Sequence, residues 1–281
     1  MLNKSFFVVI HLGCFLIIWT GVSAVALAVA LSLYLIRMFA ITAGYHRLFS
    51  HRSYSTSRAF QFVLAVLGSS AAQKGPLWWA ASHRHHHKHS DTEEDIHSPG
   101  LHGLWWAHAG WVLSSENDEA DLTTVKDLTK FPELVLLERF HFVPPLILLA
   151  CCYLLGVLLA LYYPQLGTNG FQMAVVGALL STVLLYHGTF VINSLSHMMG
   201  KQRFATGDES KNSLILAIIT LGEGWHNNHH RYPGSERQGF YWWELDISHY
   251  VLVLLSKLGL VWNLRTPPKR IYEEGAKGQL T

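Results

Sequence analysis

The chain has 281 residues, 50% of them hydrophobic and only 14% charged, and its mean hydropathy is +0.22. That balance excludes an ordinary soluble enzyme and points to an integral membrane protein. A net charge of +2 with histidine neutral is too small to imply a nucleic-acid partner. Cys14, Cys151 and Cys152 all lie in apolar runs, so no disulfide framework is expected.

In chain order, the first apolar stretch covers residues 5–38. It is too long for one crossing, since about 20 residues span a bilayer. Trp19-Thr20-Gly21 is expected to break it into two helices, near residues 5–19 and 22–46. Only Lys4 precedes the first, which reads as a span rather than a cleaved leader. Residues 60–67 are apolar but short, and suggest an interfacial helix. Residues 73–127 are hydrophilic and rich in His and Trp. A third span is expected over 142–163, entered through Pro144-Pro145, and a fourth over 171–195. Residues 213–221 suggest a second interfacial segment, residues 247–260 are amphipathic, and the tail after Arg265 is polar. The expected fold is all-α: four transmembrane helices with a helical cap formed by residues 47–141 and 196–281, in one membrane domain.

Charge orients the spans. The connections near Thr20-Gly21 and over 162–170 contain no Lys or Arg. Of the 21 basic residues, only Arg37 falls inside a span, and the rest lie on the other side. The positive-inside rule makes that side the cytoplasm, with both termini and the cap there. Arg37 is costly in a span, and nothing in the sequence names its partner.

Histidines carry the chemistry. His226, His229 and His230 stand at i, i+3 and i+4, and His83, His86 and His87 repeat the spacing. On a helix such a triad shares one face and can present three nitrogens to a metal. His46 and His51 lie five apart, and His197 closes Asn193-Ser194-Leu195-Ser196-His197. Nine candidate ligands exceed what one ion coordinates, so two metals are expected, at the cytoplasmic ends of the spans. With no cysteine beside them, these sites fit non-haem iron better than structural zinc. Ferritin-like di-iron bundles are set aside, because no Glu-x-x-His lies in a span. His85 and His89 fall off the triad spacing. His11, His141, His187 and His249 read as core or interface histidines. Of the acidic run Asp91, Glu93, Glu94 and Asp95, some members can orient ligand imidazoles.

His46-Arg-Leu-Phe-Ser-His51, His83-Arg-His-His-His87 and His226-Asn-Asn-His-His230 resemble the three histidine boxes of the membrane fatty acyl desaturases, in particular the stearoyl-CoA (delta-9) type. Ile41-Thr42-Ala43-Gly44 and Gly222-Glu223-Gly224 agree in flanking the boxes. Asn193-Ser194-x-x-His197 resembles the segment that supplies the ninth histidine, with the asparagine reaching metal through water. The resemblance covers roughly residues 6–262. It implies a four-span enzyme with two irons that uses O2 and two electrons to place a cis double bond in a saturated acyl chain, carried as an acyl-CoA or acyl-ACP thioester. It further implies that Gln73, Trp79 and Thr189 line the acyl tunnel and that Tyr34 and Met38 close it.

There are departures. Ala81 and Ser82 stand where the animal acyl-CoA members carry basic residues that grip CoA, and CoA phosphates favour Arg and Lys. A glycerolipid substrate is therefore open beside a thioester. No cytochrome b5-like domain or dinucleotide-binding turn is present, so a separate electron donor of ferredoxin, rubredoxin or cytochrome b5 type is expected. The same platform could serve a hydroxylase, acetylenase or decarboxylase. From another class, a metal transporter or store is weighed, although transport sites usually sit near the bilayer midplane.

Overall fold

The computed structural model describes residues 2–277; Met1 and the last four positions of the expected cap, 278–281, lie outside it. The described chain is mostly helical. Helix α1 (Leu2–Cys14) is followed by a single turn, Ile17–Thr20, which ends at Gly21 with φ +68°. The chain therefore turns where the sequence placed the break. Ser23 then caps α2 (Ala24–Phe39), its Oγ accepting from the Ala26 amide at 3.1 Å.

Helix α2 does not stop near residue 46. It widens into a π-helix, Ala40–Ser50, to give one continuous run of 27 residues, Ala24–Ser50. At ~1.5 Å per residue that run is roughly 40 Å long, beyond the ~30 Å of a hydrocarbon core. Its last turns lie inside protein, and every residue from Ala40 to Ser50 is buried.

Next come α3 (Arg58–Ser69), α4 (Pro76–His89) and the short α5 (Pro132–Arg139). The apolar segment at 60–67 is part of α3, which packs one face against Tyr45 and leaves Phe62 and Val63 exposed. Its N-terminus is exposed, with Arg58 bonded to Glu133, while Leu64, Ala65, Gly68 and Ser69 are buried. Gly68 is required by this crossing: a Cβ there would lie 2.3 Å from the Tyr45 ring.

Helix α6 (Val143–Tyr162) is apolar throughout. The run Gly170–His197 begins with a helical turn, widens over Met173–Leu180, and continues as α7 (Ser181–Ser194). These two runs and Ala24–Ser50 are the three described helices long and apolar enough to cross a membrane, while the apolar stretch Lys4–Thr20 is shorter. Ala26 and Ala30 of α2 pack against Met173, Val176 and Ala178, and Cys152 of α6 joins them. Small residues let such helices approach closely. Outward faces carry exposed Leu31, Leu154, Leu161 and Phe171, as a lipid-facing surface does.

The remaining elements cover one end of the bundle: α8 (Leu214–Ile219), α9 (His226–Arg231), α10 (Ile247–Lys257) and α11 (Lys269–Lys277). A short antiparallel pair, β1 (Ser55–Thr56) with β2 (Val261–Trp262), ties the segment after His51 to the C-terminal region. All three cysteines are free.

Arg37 is buried on α2 and has defined partners. Its Nε donates to the Leu33 carbonyl, Nη1 to the Ser70 carbonyl (3.2 Å) and Thr182 Oγ1 (2.7 Å), and Nη2 to Ser181 Oγ (2.6 Å).

Candidate metal centre and family

The widened helix makes the first pair of histidines possible. On an α-helix, residues five apart diverge around the axis. A π turn closes i→i+5 bonds and brings them above one another. Here the His51 amide donates to the His46 carbonyl at 3.2 Å, and the two ring centroids are 4.8 Å apart.

The nine histidines gather into two groups: His46, His51, His83, His87 and His229 in one, and His86, His197, His226 and His230 in the other. Within each group the candidate nitrogens lie within 4.8 Å of one another. The triads are not single-metal units, contrary to the simplest reading of their spacing. On α4, His83 and His87 share a group and His86 crosses to the other. On α9, His226 and His230 share a group and His229 crosses. His85 and His89 turn away, towards Glu94.

Carboxylates set the tautomers. The Nδ1–H of His86 donates to Asp95, that of His197 to Asp91 (2.8 Å) and that of His230 to Asp208 (2.7 Å), and His46 Nδ1 meets Glu223. A neutral imidazole that donates through Nδ1 leaves a bare lone pair at Nε2. Nε2 atoms converge within each group: His46 and His229 at 3.0 Å, His229 and His87 at 2.8 Å, His197 and His226 at 3.1 Å. His230 Nε2 is buried with no hydrogen-bond partner among the described residues. Inward-facing lone pairs from neutral donors fit a metal cation in each group.

Protonation agrees. Burial, reinforced by the neighbouring rings, holds His51, His83, His87, His226 and His229 well below the ordinary histidine value. Burial likewise takes His230 down to about 4 against the pull of Asp208. Neutral imidazole is the metal-binding form. Burial pushes the Asp91 carboxyl up, but the bond to His197 outweighs it and holds the group at about 2. Asp95 and Asp208 are lowered in the same way by His86 and His230.

Two adjoining cavities reach the histidines. One, about 1020 Å³ including open space, is lined by Phe6, Phe7, Gln73, Phe142, Tyr186 and Phe190 among others. The other is lined by Met38, Ile41, His46 and His226. Trp79, His83, Thr189 and Asn193 line both. Gln73 Nε2 donates to Thr189 Oγ1 at 3.0 Å. Tyr34 lines neither. Its hydroxyl donates to the Ile219 carbonyl, and it packs beside Met38 against Gly188. A Cβ on Gly188 would lie 2.6 Å from the Tyr34 oxygen and 2.9 Å from Met38 Cε.

Residues 22–263 match the family model described as fatty acid desaturase. The chain belongs to the fatty acid desaturase family. It is 36% identical over 271 residues, 95% of this chain and 94% of the relative, to the sn-1 stearoyl-lipid 9-desaturase of Anabaena variabilis. It is 34% identical to the sn-2 palmitoyl-lipid 9-desaturase of Nostoc sp. (strain 36), over 95% of this chain and 90% of the relative. It is 36% identical to the icosanoyl-CoA 5-desaturase of Limnanthes douglasii, over 81% of this chain and 61% of the relative. The protein is an oxidoreductase that desaturates an acyl chain, and the reading as a metal transporter or store falls.

Several residues of the desaturase's centre escaped the sequence reading. Asp208 stood in a polar stretch, Gly207-Asp208-Glu209-Ser210, with nothing to mark it as a histidine partner. Arg47 was a spacer between His46 and His51, yet it is buried and bonds both Glu223 and Asp246 (2.9 Å). Asn227 and Asn228 are fully buried. Asn227 Oδ1 accepts from the Arg203 and Phe204 amides, and Asn228 Oδ1 accepts from Arg203 Nη1 and Asn212. Their position between the candidate ligands His226 and His229 is the signal that could have found them: amides buried there must bond the loops around α9.

Proposed function

We propose that this desaturase introduces a cis double bond at carbon 9 of a saturated acyl chain esterified to a membrane glycerolipid, at a centre of two non-haem iron ions with O2 as co-substrate. The observation that carries this reading is the meeting of cavity and histidines: His46 and His83 of one group and His226 of the other line two adjoining, largely apolar cavities, which this reading joins into one bent acyl channel. His46, His51, His83, His87 and His229 would hold one ion, and His86, His197, His226 and His230 the other, with Asn193 reaching the centre through a water. Bound there, iron supplies the one-electron and O2 chemistry that an unactivated C–H bond requires.

The chain's own residues do the rest. Trp79, Gln73 and Thr189 hold the bend of the acyl chain, and Met38, backed by Tyr34, closes the inner end. Fixing one methylene pair against the centre selects the carbon by orientation. Asp91, Asp95, Asp208 and Glu223 keep the ligand rings turned with Nε2 inward. Apolar walls exclude bulk water from the oxidation.

Carbon 9 and the lipid carrier follow the relatives matched along nearly their whole length, both named as lipid 9-desaturases. The thioester expected from the resemblance finds less support. Ala81 and Ser82 offer no cation, and Lys74 at the cavity is engaged by Asp118 and two carbonyls. In this reading α1 is a fourth span, since the 17 residues of Lys4–Thr20 reach about 25 Å. Both termini and the centre are then cytoplasmic, and electrons arrive from a separate ferredoxin, rubredoxin or cytochrome b5 type of donor.

The test is expression in a desaturase-deficient host, followed by mass spectrometry of fatty acids within each lipid class. A 9-monoene appearing first in intact glycerolipid supports the proposal. The same product appearing first in the acyl-CoA or acyl-ACP pool overturns the lipid carrier, and another double-bond position overturns carbon 9.

A further inference from the structure

The buried Arg37 lies outside both histidine groups, and its surroundings lead to Gln73 and Thr189 on the cavity wall. The Ser70 carbonyl that it binds ends α3 and opens the segment Ser70–Lys74, which carries Gln73. Ala72 and Lys74 in that segment have positive φ, +59° and +65°. Non-glycine residues hold such a conformation only when their surroundings over-determine it. Lys74 is held through the Asn117 and Asp118 carbonyls, and the middle of the segment is held by α7. Tyr186 donates to the Ala72 carbonyl (2.9 Å), and Thr189 accepts from Gln73. Thr182, Tyr186 and Thr189 are spaced i, i+4 and i+7, so they form one stripe along the helix. Arg37 joins this stripe at its base, binding Thr182 and Ser181 on α7 and the Ser70 carbonyl at once.

The charge is met by dipoles. The Ser181 hydroxyl donates to the Gly177 and Ala178 carbonyls and the Thr182 hydroxyl to the Ala178 carbonyl, and both accept from the guanidinium. The C-terminus of α3 presents its negative end to the same group. A lysine ammonium lacks the planar fork that reaches three elements together.

We propose that Arg37 is a positioning residue for regiochemistry: it fixes the register of the Ser70–Lys74 turn against α7, and thereby where the channel bends relative to the metal centre. The proposal rests on the reading of this cavity as the acyl channel. Without Arg37, Gln73 and Thr189 no longer define one bend, and neighbouring methylene pairs reach the centre.

The experiment compares the double-bond position, read by mass spectrometry of dimethyl disulfide adducts, among wild type, Arg37→Met, Arg37→Lys and the double variant Ser181→Ala/Thr182→Ala. Wild type sets the reference position, so a failure of the carbon-9 assignment appears in that sample alone. Arg37→Met is expected to yield a neighbouring positional isomer at about a tenth or more of the monoene, with Arg37→Lys intermediate. The double variant keeps the guanidinium, removes two of its acceptors, and should shift the profile in the same direction. If Arg37→Met does not accumulate in membranes, the double variant decides. An unchanged isomer distribution in the accumulated variants, whether yield holds or falls, overturns the proposal and leaves Arg37 a purely structural role.

Discussion

His86 and His87 are neighbours in the chain, yet their imidazoles serve different groups, with ring centroids 5.6 Å apart. Successive residues on a helix point about 100° apart, so one turn of α4 stands between the two groups and feeds both.

That arrangement separates the effects of single substitutions. His86→Ala and His87→Ala should each remove about one of two irons per chain, from different groups. Activity should fall by more than the ~100-fold that loss of a supporting partner causes, while helical content stays unchanged. Iron analysis of the purified variants with circular dichroism checks this. Wild-type iron content in either variant would remove that histidine from the ligand set.

The Asp208 carboxylate accepts from His230 and, within its own loop, from Ser210 and Thr206. Asp208→Asn keeps the shape but weakens acceptance of the Nδ1 proton. It should lower metal affinity or turnover by roughly 10–100-fold, whereas Glu93→Gln on the exposed part of the acidic run should change neither. Chelator competition assays on both variants provide the comparison.

Acid should act through the histidines. Folding lowers the pKa values of His51, His83, His87, His226 and His229, and takes His230 to about 4, while the unfolded chain titrates near the ordinary ~6.5. Between those values the unfolded state binds more protons, so stability rises with pH there. Metal-free protein should therefore show its full stability above about pH 6.5 and lose it progressively as pH falls towards 4. Melting curves in detergent across that window test the sign, and a melting temperature that rises as pH falls through it would contradict the buried neutral histidines.

Met38 is 1% exposed and lines the cavity that His46 and His226 also line. Met38→Ala removes most of a side chain there and should shift preference towards longer acyl chains, by about two methylenes or more. Gas chromatography of products from mixed chain lengths reads this directly. An identical chain-length profile would take Met38 away from the end of the channel.

The helical fold and the ligand candidates were legible in the sequence because both are local patterns. Apolar runs report span length, and the break at Thr20-Gly21 fell where Gly21 adopts a positive φ. Spacing in the three boxes singled out eight of the candidate histidines, and the Asn193–His197 run the ninth. The π-helix over Ala40–Ser50 was not legible, since its apolar pattern reads equally well as an α-helix, and the pairing of His46 with His51 depends on it. Nor was the burial of α3, whose apolar residues alone do not distinguish packing in a bundle from lying on its surface.

By itself, then, the order of residues determined the class of the protein, its nine metal-binding candidates and the desaturase family. Composition, spacing and motif survive in any arrangement of the chain. Only the tertiary structure decided how the histidines divide, which carboxylate turns each ring, and where Arg37 finds its partners. Those facts join residues far apart in sequence, such as His46 with Glu223, His197 with Asp91 and Arg37 with Thr182. Contacts of that kind exist only once helix packing has brought separate segments within bonding distance.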